Sequence, residues 1–235
     1  MNDSKRSWAQ TTLSVNGKPV GSGRPIVLVR GATNNITLKA PANVFESIML
    51  EKVEAGNLVV EATPSFQTPV HSDNGEFRWQ LKTGEGLSGT MTLVFYSHEA
   101  ELPSSRACWV MSANVTDEIE LVRVDDLPYP DFQSTGIRYG ATLHVNWLRI
   151  QIKPGSPLFA EKLVLTRGAS STDKPGPAPS FEPPLGNSCV AENGVYAWKM
   201  TFDKDTSLDS TLNIANHMSD SGFSLRCRAW SMPWP

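Results

Sequence analysis

Apolar and polar residues alternate along much of this chain. Glu76-Phe77-Arg78-Trp79-Gln80-Leu81 and Thr90-Met91-Thr92-Leu93-Val94-Phe95-Tyr96 place every second side chain on one side. Thr142 to Leu148, Val195 to Met200 and Thr211 to Ala215 do the same. A period of two belongs to β-strands with one face on a core. Arg24 to Arg30, Asn35 to Ala40, Asn57 to Ala62 and Lys162 to Thr166 add short runs rich in β-branched residues, bounded by Gly, Pro and Asn. The 17 glycines and 17 prolines are spread along the chain and leave no room for long helices. Val44 to Lys52 and Pro157 to Leu163 have helix-like composition, and each is read as a strand preceded by a short turn.

The pattern is written twice. Arg30-Gly31-Ala32-Thr33 returns as Tyr139-Gly140-Ala141-Thr142, and Pro64-Ser65-Phe66 as Pro179-Ser180-Phe181. Gly75-Glu76-Phe77-Arg78-Trp79 returns as Gly194-Val195-Tyr196-Ala197-Trp198, and Trp109 with Met111 as Trp230 with Met232. The matches keep their order, and their separation grows only from 109 residues at Gly31 to 121 at Trp109. A repeat this long predicts tandem domains rather than a short-period solenoid. Residues shared by both copies are expected to serve the fold. Residues present in one copy are open to function.

About seven short strands per unit, with turn signals every 8 to 12 residues or so, predict an all-β chain of two antiparallel β-sandwiches of immunoglobulin type. Residues 1–10 are read as an N-terminal tail, 11–118 as the first sandwich and 119–235 as the second, joined between Asn114 and Glu120 by a short, stiff junction without a Gly/Ser linker. Trp79, Trp109, Trp198 and Trp230 are the expected core anchors, because a large ring on an alternating strand supplies much of the buried area of a two-sheet core.

A Gly-Ala-Thr opening strand, a mid-domain Gly-x-(Phe/Tyr)-x-Trp strand and a closing Trp strand, repeated in tandem, resemble the Ig-like repeats of large bacterial surface or secreted proteins. The resemblance covers nearly the whole chain. It implies adhesion, spacing or recognition of a protein or glycan receptor, and it transfers no catalytic residue. A receptor-binding secreted toxin component and a carbohydrate-binding module are the rival readings.

Composition narrows the field. At 235 residues the chain can build two cores without metals, cofactors or disulfides. A net charge of −3 provides no field for nucleic acid or anionic membrane. No apolar run approaches the length of about 18 residues that a spanning helix needs. The N-terminal residues lack the apolar region of a secretory signal, so export would use another route or a longer chain, with a cytoplasmic location as the alternative. Three cysteines are too few for a disulfide scaffold. Cys108 is read as a buried free thiol, and Cys189 with Cys227 as a candidate disulfide within the second sandwich.

The candidate chemistry is sparse. Ser171-Thr172-Asp173-Lys174, Ser72-Asp73-Asn74 and Lys82-Thr83-Gly84 match the three motifs of serine β-lactamases, but in the wrong order, and the prolines after Lys174 exclude the helix that mechanism needs. Asp203, Asp205 and Asp209 have the first-third-seventh spacing of a calcium loop. Leu208 and Ile214 stand where such a loop needs Gly and Glu, which favours a solvated hairpin turn. His71, His98, His144 and His217 have no histidine counterpart in the other copy and form no metal or nucleophile constellation. The chain therefore reads as non-enzymatic. The copies differ most at the Pro-rich segment Ser170 to Ser180, which must run over the surface. Binding is expected there, through Lys174, Pro175, Pro177 and the flanking Phe181, and at Trp234 in the tail.

Overall fold

In the computed structural model the described residues are 8–141, 144–170, 177–203, 206–216 and 222–231, and the alternating segments form strands. Contacts divide the chain into two units, Met1–Ala113 and Asn114–Pro235.

The first unit contains β1 (Thr12–Val15), β2 (Lys18–Val20), β3 (Ile26–Val29), β4 (Thr33–Lys39) and β5 (Ser47–Val53). It continues with β6 (Val60–Thr63), β7 (Val70–His71), β8 (Glu76–Thr83), β9 (Gly89–Tyr96) and β10 (Ser104–Met111). They form two five-stranded sheets, ordered β2-β1-β4-β8-β6 and β3-β10-β9-β5-β7. Without the short edge strands β2, β3 and β7, the orders become first-second-fifth-fourth and third-sixth-seventh of seven strands, which is the immunoglobulin constant-type sandwich.

The second unit contains β11 (Ile119–Val124), β12 (Leu127–Pro128), β13 (Ile137–Ala141), β14 (Val145–Ile152) and β15 (Lys162–Ser170). It ends with β16 (Ser180–Glu182), β17 (Ser188–Val190), β18 (Val195–Thr201), β19 (Ser207–Asn216) and β20 (Gly222–Ser231). Its sheets are β12-β11-β14-β18-β16 and β13-β20-β19-β15-β17, the same order strand for strand. One feature in each unit departs from a purely antiparallel sandwich: β3 runs parallel to β10, and β13 parallel to β20. The chain reaches these positions by leaving the first sheet after the opening hairpin and crossing to the edge of the second, so the opening and closing strands lie side by side.

Along β8 the burial alternates without a break, with Phe77, Trp79, Leu81 and Thr83 inward and Arg78, Gln80 and Lys82 outward. In the first core Trp79 meets Phe95 edge-on with ring centroids 5.8 Å apart, packed with Ile36, Leu50 and Leu93. In the second, Trp198 stacks with Tyr196 at 6.3 Å. The Tyr196 hydroxyl donates to the carbonyls of Leu158 (2.7 Å) and Glu161 (2.6 Å), capping the single-turn helix Pro157–Ala160. Within the segment read as a tail, Trp8 packs on the first unit: it stacks on Phe45 at 4.6 Å and donates to the Leu102 carbonyl.

The hairpin preceding each central strand uses Asn-Gly at its tip. Asn74 and Gly75 have φ of 52° and 82°, and Asn193 and Gly194 have 51° and 76°. Two consecutive left-handed residues define the turn that matches strand twist. A β-carbon at Gly75 would sit 2.5 Å from the Ala40 carbonyl oxygen, so only glycine fits.

The ladders correct one sequence match. Trp109 lies opposite Thr90, but Thr211, the counterpart of Thr90, lies opposite Arg226. Trp230 lies further along, opposite Ser207, and is exposed, with 41 % of its surface accessible. It is therefore not a core anchor, because its strand presents it on the solvent side between buried Ala229 and the strand end. Trp109 is buried, but on the side of β10 away from Cys108 and Val110, which belong to the core between the sheets.

Candidate functional site

Four of the expected site residues, Lys174, Pro175, Asp205 and Trp234, lie outside the described residues. Pro177 is exposed, and its carbonyl accepts from the Ser207 amide at 2.9 Å, which ties the end of the Pro-rich segment to β19. Phe181 faces inward on β16 between exposed Ser180 and Glu182 and is 8 % accessible. It is a packing residue rather than a ligand contact, since strand alternation turns it into the core. Asp203 lies 3.9 Å from His144 Nδ1, whereas Asp209 pairs with Arg228 across the β19–β20 ladder at 3.0 Å. Among the described residues, no three His, Cys, Asp or Glu side chains group as metal ligands.

The disulfide expectation fails on topology. Cys189 and Cys227 are both free and buried. Cys189 is on β17 and Cys227 on β20, with β15 and β19 between them. Three strand spacings amount to roughly 14 Å, and a disulfide needs α-carbons within about 7 Å. Burial pushes the Cys227 thiol up to about 12, with Asp209 adding to the shift, and burial raises Cys108 and Cys189 as well. Thiol titration is expected to find none of the three cysteines reactive in the native protein at neutral pH and all three reactive in denaturant, with the same melting temperature under reducing and oxidising conditions. A native disulfide would show as a melting temperature that falls on reduction.

The outward face of the β12-β11-β14-β18-β16 sheet differs from its counterpart in the first unit at every central position. Ile36 lies opposite Trp79, and Leu148 opposite Trp198. This register equates Asn35 with Trp147, Thr37 with Arg149 and Gln80 with Lys199. Ser14, which pairs with Thr37, corresponds to Arg123, which pairs with Arg149. Four neutral polar residues in the first unit are thus replaced by one aromatic and three cations, while Arg78, opposite Thr37, gives way to Ala197, opposite Arg149.

The geometry of this face is fixed from below. Asp125, in a left-handed turn residue position (φ 51°), accepts the Trp147 amide at 2.7 Å through one carboxylate oxygen and the Tyr139 hydroxyl at 2.7 Å through the other. Tyr139 also donates to Asn146, and burial together with Asp125 holds its phenol above the ordinary value. The Arg149 guanidinium lies 5.6 Å from the Trp147 ring centre and donates to the Asp125 carbonyl at 3.1 Å. Lys199 pairs with Glu182 at 3.4 Å. Trp147 remains 37 % accessible. Sequence reasoning missed this face. The signal was available in Asn146-Trp147-Leu148, where a tryptophan occupies an outward position of an alternating strand.

No protein-family model and no curated protein sequence matches the chain. Among solved structures, the Escherichia coli adhesin FdeC is similar at 15 % identity and a TM-score of 0.35, over 97 % of this chain and 66 % of that one. The Yersinia pseudotuberculosis adhesin InvE matches at 14 % identity and a TM-score of 0.37, over 97 % of this chain and 61 % of that one. A fragment of intimin matches at 9 % identity and a TM-score of 0.33, over 93 % of this chain and 96 % of the fragment. The chain thus spans somewhat less than two thirds of the FdeC and InvE structures. The immunoglobulin-type assignment rests on the strand order of each unit. No residue role passes from these proteins to this chain.

Proposed function

We propose that the chain is a non-enzymatic adhesion or recognition module of a bacterial surface or secreted protein, in which the first unit acts as spacer and the second carries the ligand-facing surface. The observation that supports this reading is that two units with one strand order differ in their outward residues: Ser14, Asn35, Thr37 and Gln80 of the first stand where Arg123, Trp147, Arg149 and Lys199 stand in the second. A rigid sandwich can exchange outward residues and loops without disturbing its core, which makes those positions the natural place for recognition. The Pro-rich segment, with Lys174, Pro175 and Pro177, and the tail residue Trp234 are proposed as a second contact region, since a proline run is ordered before binding and loses less entropy.

The test is a cell-binding assay with the full chain on fluorescent beads. Beads carrying the chain are expected to adhere to host or neighbouring cells. Adhesion should survive mutation of Asn35 and Gln80 in the first unit and fall when the Ser170 to Ser180 segment is replaced by the shorter first-copy loop. Cell lysis or vesicle leakage would replace this reading with the toxin reading, and absence of adhesion to any cell type would leave a spacer.

A further inference from the structure

We propose that the Arg123–Trp147–Arg149 face of the second unit binds a saccharide that bears carboxylate groups; the inference rests on the recognition reading and names its ligand. Arg123 and Arg149 are direct partners in the β11–β14 ladder. Like charges directly opposite one another on adjacent strands repel, which disfavours the pair unless an anion lies between them. Of the neighbouring carboxylates, Asp125 accepts from Trp147 and Tyr139, Glu182 pairs with Lys199 and Glu120 accepts from Gln151 at 2.7 Å. Among the described residues no carboxylate pairs with Arg123 or Arg149. The contact with the Asp125 carbonyl and the Trp147 ring fixes Arg149, so its remaining donors are preorganised.

The first unit shows what the sheet needs for folding alone. Its equivalent pair is Ser14 and Thr37, joined by a 3.5 Å hydrogen bond from the Ser14 hydroxyl to the Thr37 carbonyl. Two cations opposite one another are thus an addition the fold does not require. Strands lie about 4.8 Å apart, a separation that a planar carboxylate bridges by accepting from both guanidinium groups, each bond charge-assisted. Trp147, next to this pair on β14, is 37 % accessible beside the Arg149 guanidinium, and its exposed ring surface is where the C–H face of a pyranose would pack. An acidic peptide would use the two arginines but has no ring for Trp147, and a neutral sugar would use Trp147 but leave the arginines unpaired. A carboxylated sugar uses both.

The experiment titrates the full chain with hexagalacturonate, sialyllactose, neutral maltohexaose and hexaglutamate by calorimetry, and follows the Trp147 indole N–H resonance, assigned with Trp147→Asn. At least one carboxylated saccharide is expected to bind and shift that resonance, while maltohexaose does not. Arg123→Ser and Arg149→Thr, which install the first-unit residues and remove the like-charge repulsion, are each expected to weaken binding by about tenfold without lowering the melting temperature. If a variant unfolds, the wild-type indole shift still decides. Equal binding of hexaglutamate, or binding unaffected by both arginine variants, would overturn the inference. Adhesion to cells without binding of either carboxylated saccharide would overturn this ligand while leaving the recognition reading standing. Loss of both would remove the two together.

Discussion

Trp198→Ala is expected to destabilise the second unit by about 3–5 kcal/mol, enough to remove most of the stability of a sandwich of this size. Trp198 is wholly buried, stacked on Tyr196 and laddered opposite Leu148. Truncation removes the largest apolar surface in that core and leaves a cavity that a two-sheet sandwich cannot close, because each sheet is held by its own ladder. Trp79→Ala should do the same to the first unit. The indole N–H groups of both tryptophans are buried without an acceptor among the described residues. An unpaired buried donor costs on the order of 1–3 kcal/mol, so Trp198→Phe and Trp79→Phe, which delete that donor and keep an aromatic ring, are expected to cost less than half as much as alanine. Thermal unfolding with each variant checks both statements. A phenylalanine variant as unstable as alanine would show that the indole N–H is satisfied, for example by water.

The sandwich was legible because both copies keep the two-residue period where it matters. The strands β4, β8 and β9, and β14, β18 and β19, carry unbroken inward rows. The pairing of β3 with β10 was not legible. Direction of pairing depends on where the chain crosses between sheets, and Ile26 to Val29 reads the same whether its neighbour runs parallel or antiparallel. The Trp109–Trp230 match misled for a related reason. The β19–β20 ladder is longer than β9–β10, so identical letters fall at different rungs. Phe181, expected at a binding loop, is pulled inward by the alternation of a three-residue strand too short to read. The cationic face of the second unit was hidden because Arg123, Trp147 and Arg149 belong to strands that come together only in the folded sheet.

A second hidden feature predicts the next largest effect: Asn34→Ala is expected to cost about 2–4 kcal/mol. Asn34 is fully buried at an inward position of β4, where the strand pattern calls for an apolar residue. Its side-chain oxygen accepts the Val29 amide at 2.8 Å, and its nitrogen donates to the carbonyls of Val29 (3.1 Å) and Ala32 (3.2 Å). Thr83, also buried, donates to the Val29 carbonyl at 2.7 Å. These bonds engage the backbone of Val29 and Ala32 where the chain leaves β3 in one sheet for β4 in the other. The second unit has a buried asparagine at the equivalent position, bonded to a side chain. Asn146, two residues before the partner of Trp198 as Asn34 is two before the partner of Trp79, accepts from Tyr139. Alanine at position 34 leaves the half-buried Val29 N–H without this acceptor, and valine would fill the space without restoring the bond, so both should lose similar stability. Hydrogen exchange distinguishes this from a simple packing loss. The Val29 amide is expected to lose protection in Asn34→Ala far more than amides in β8 or β9. Uniform loss of protection across the unit would mean that Asn34 acts through packing alone.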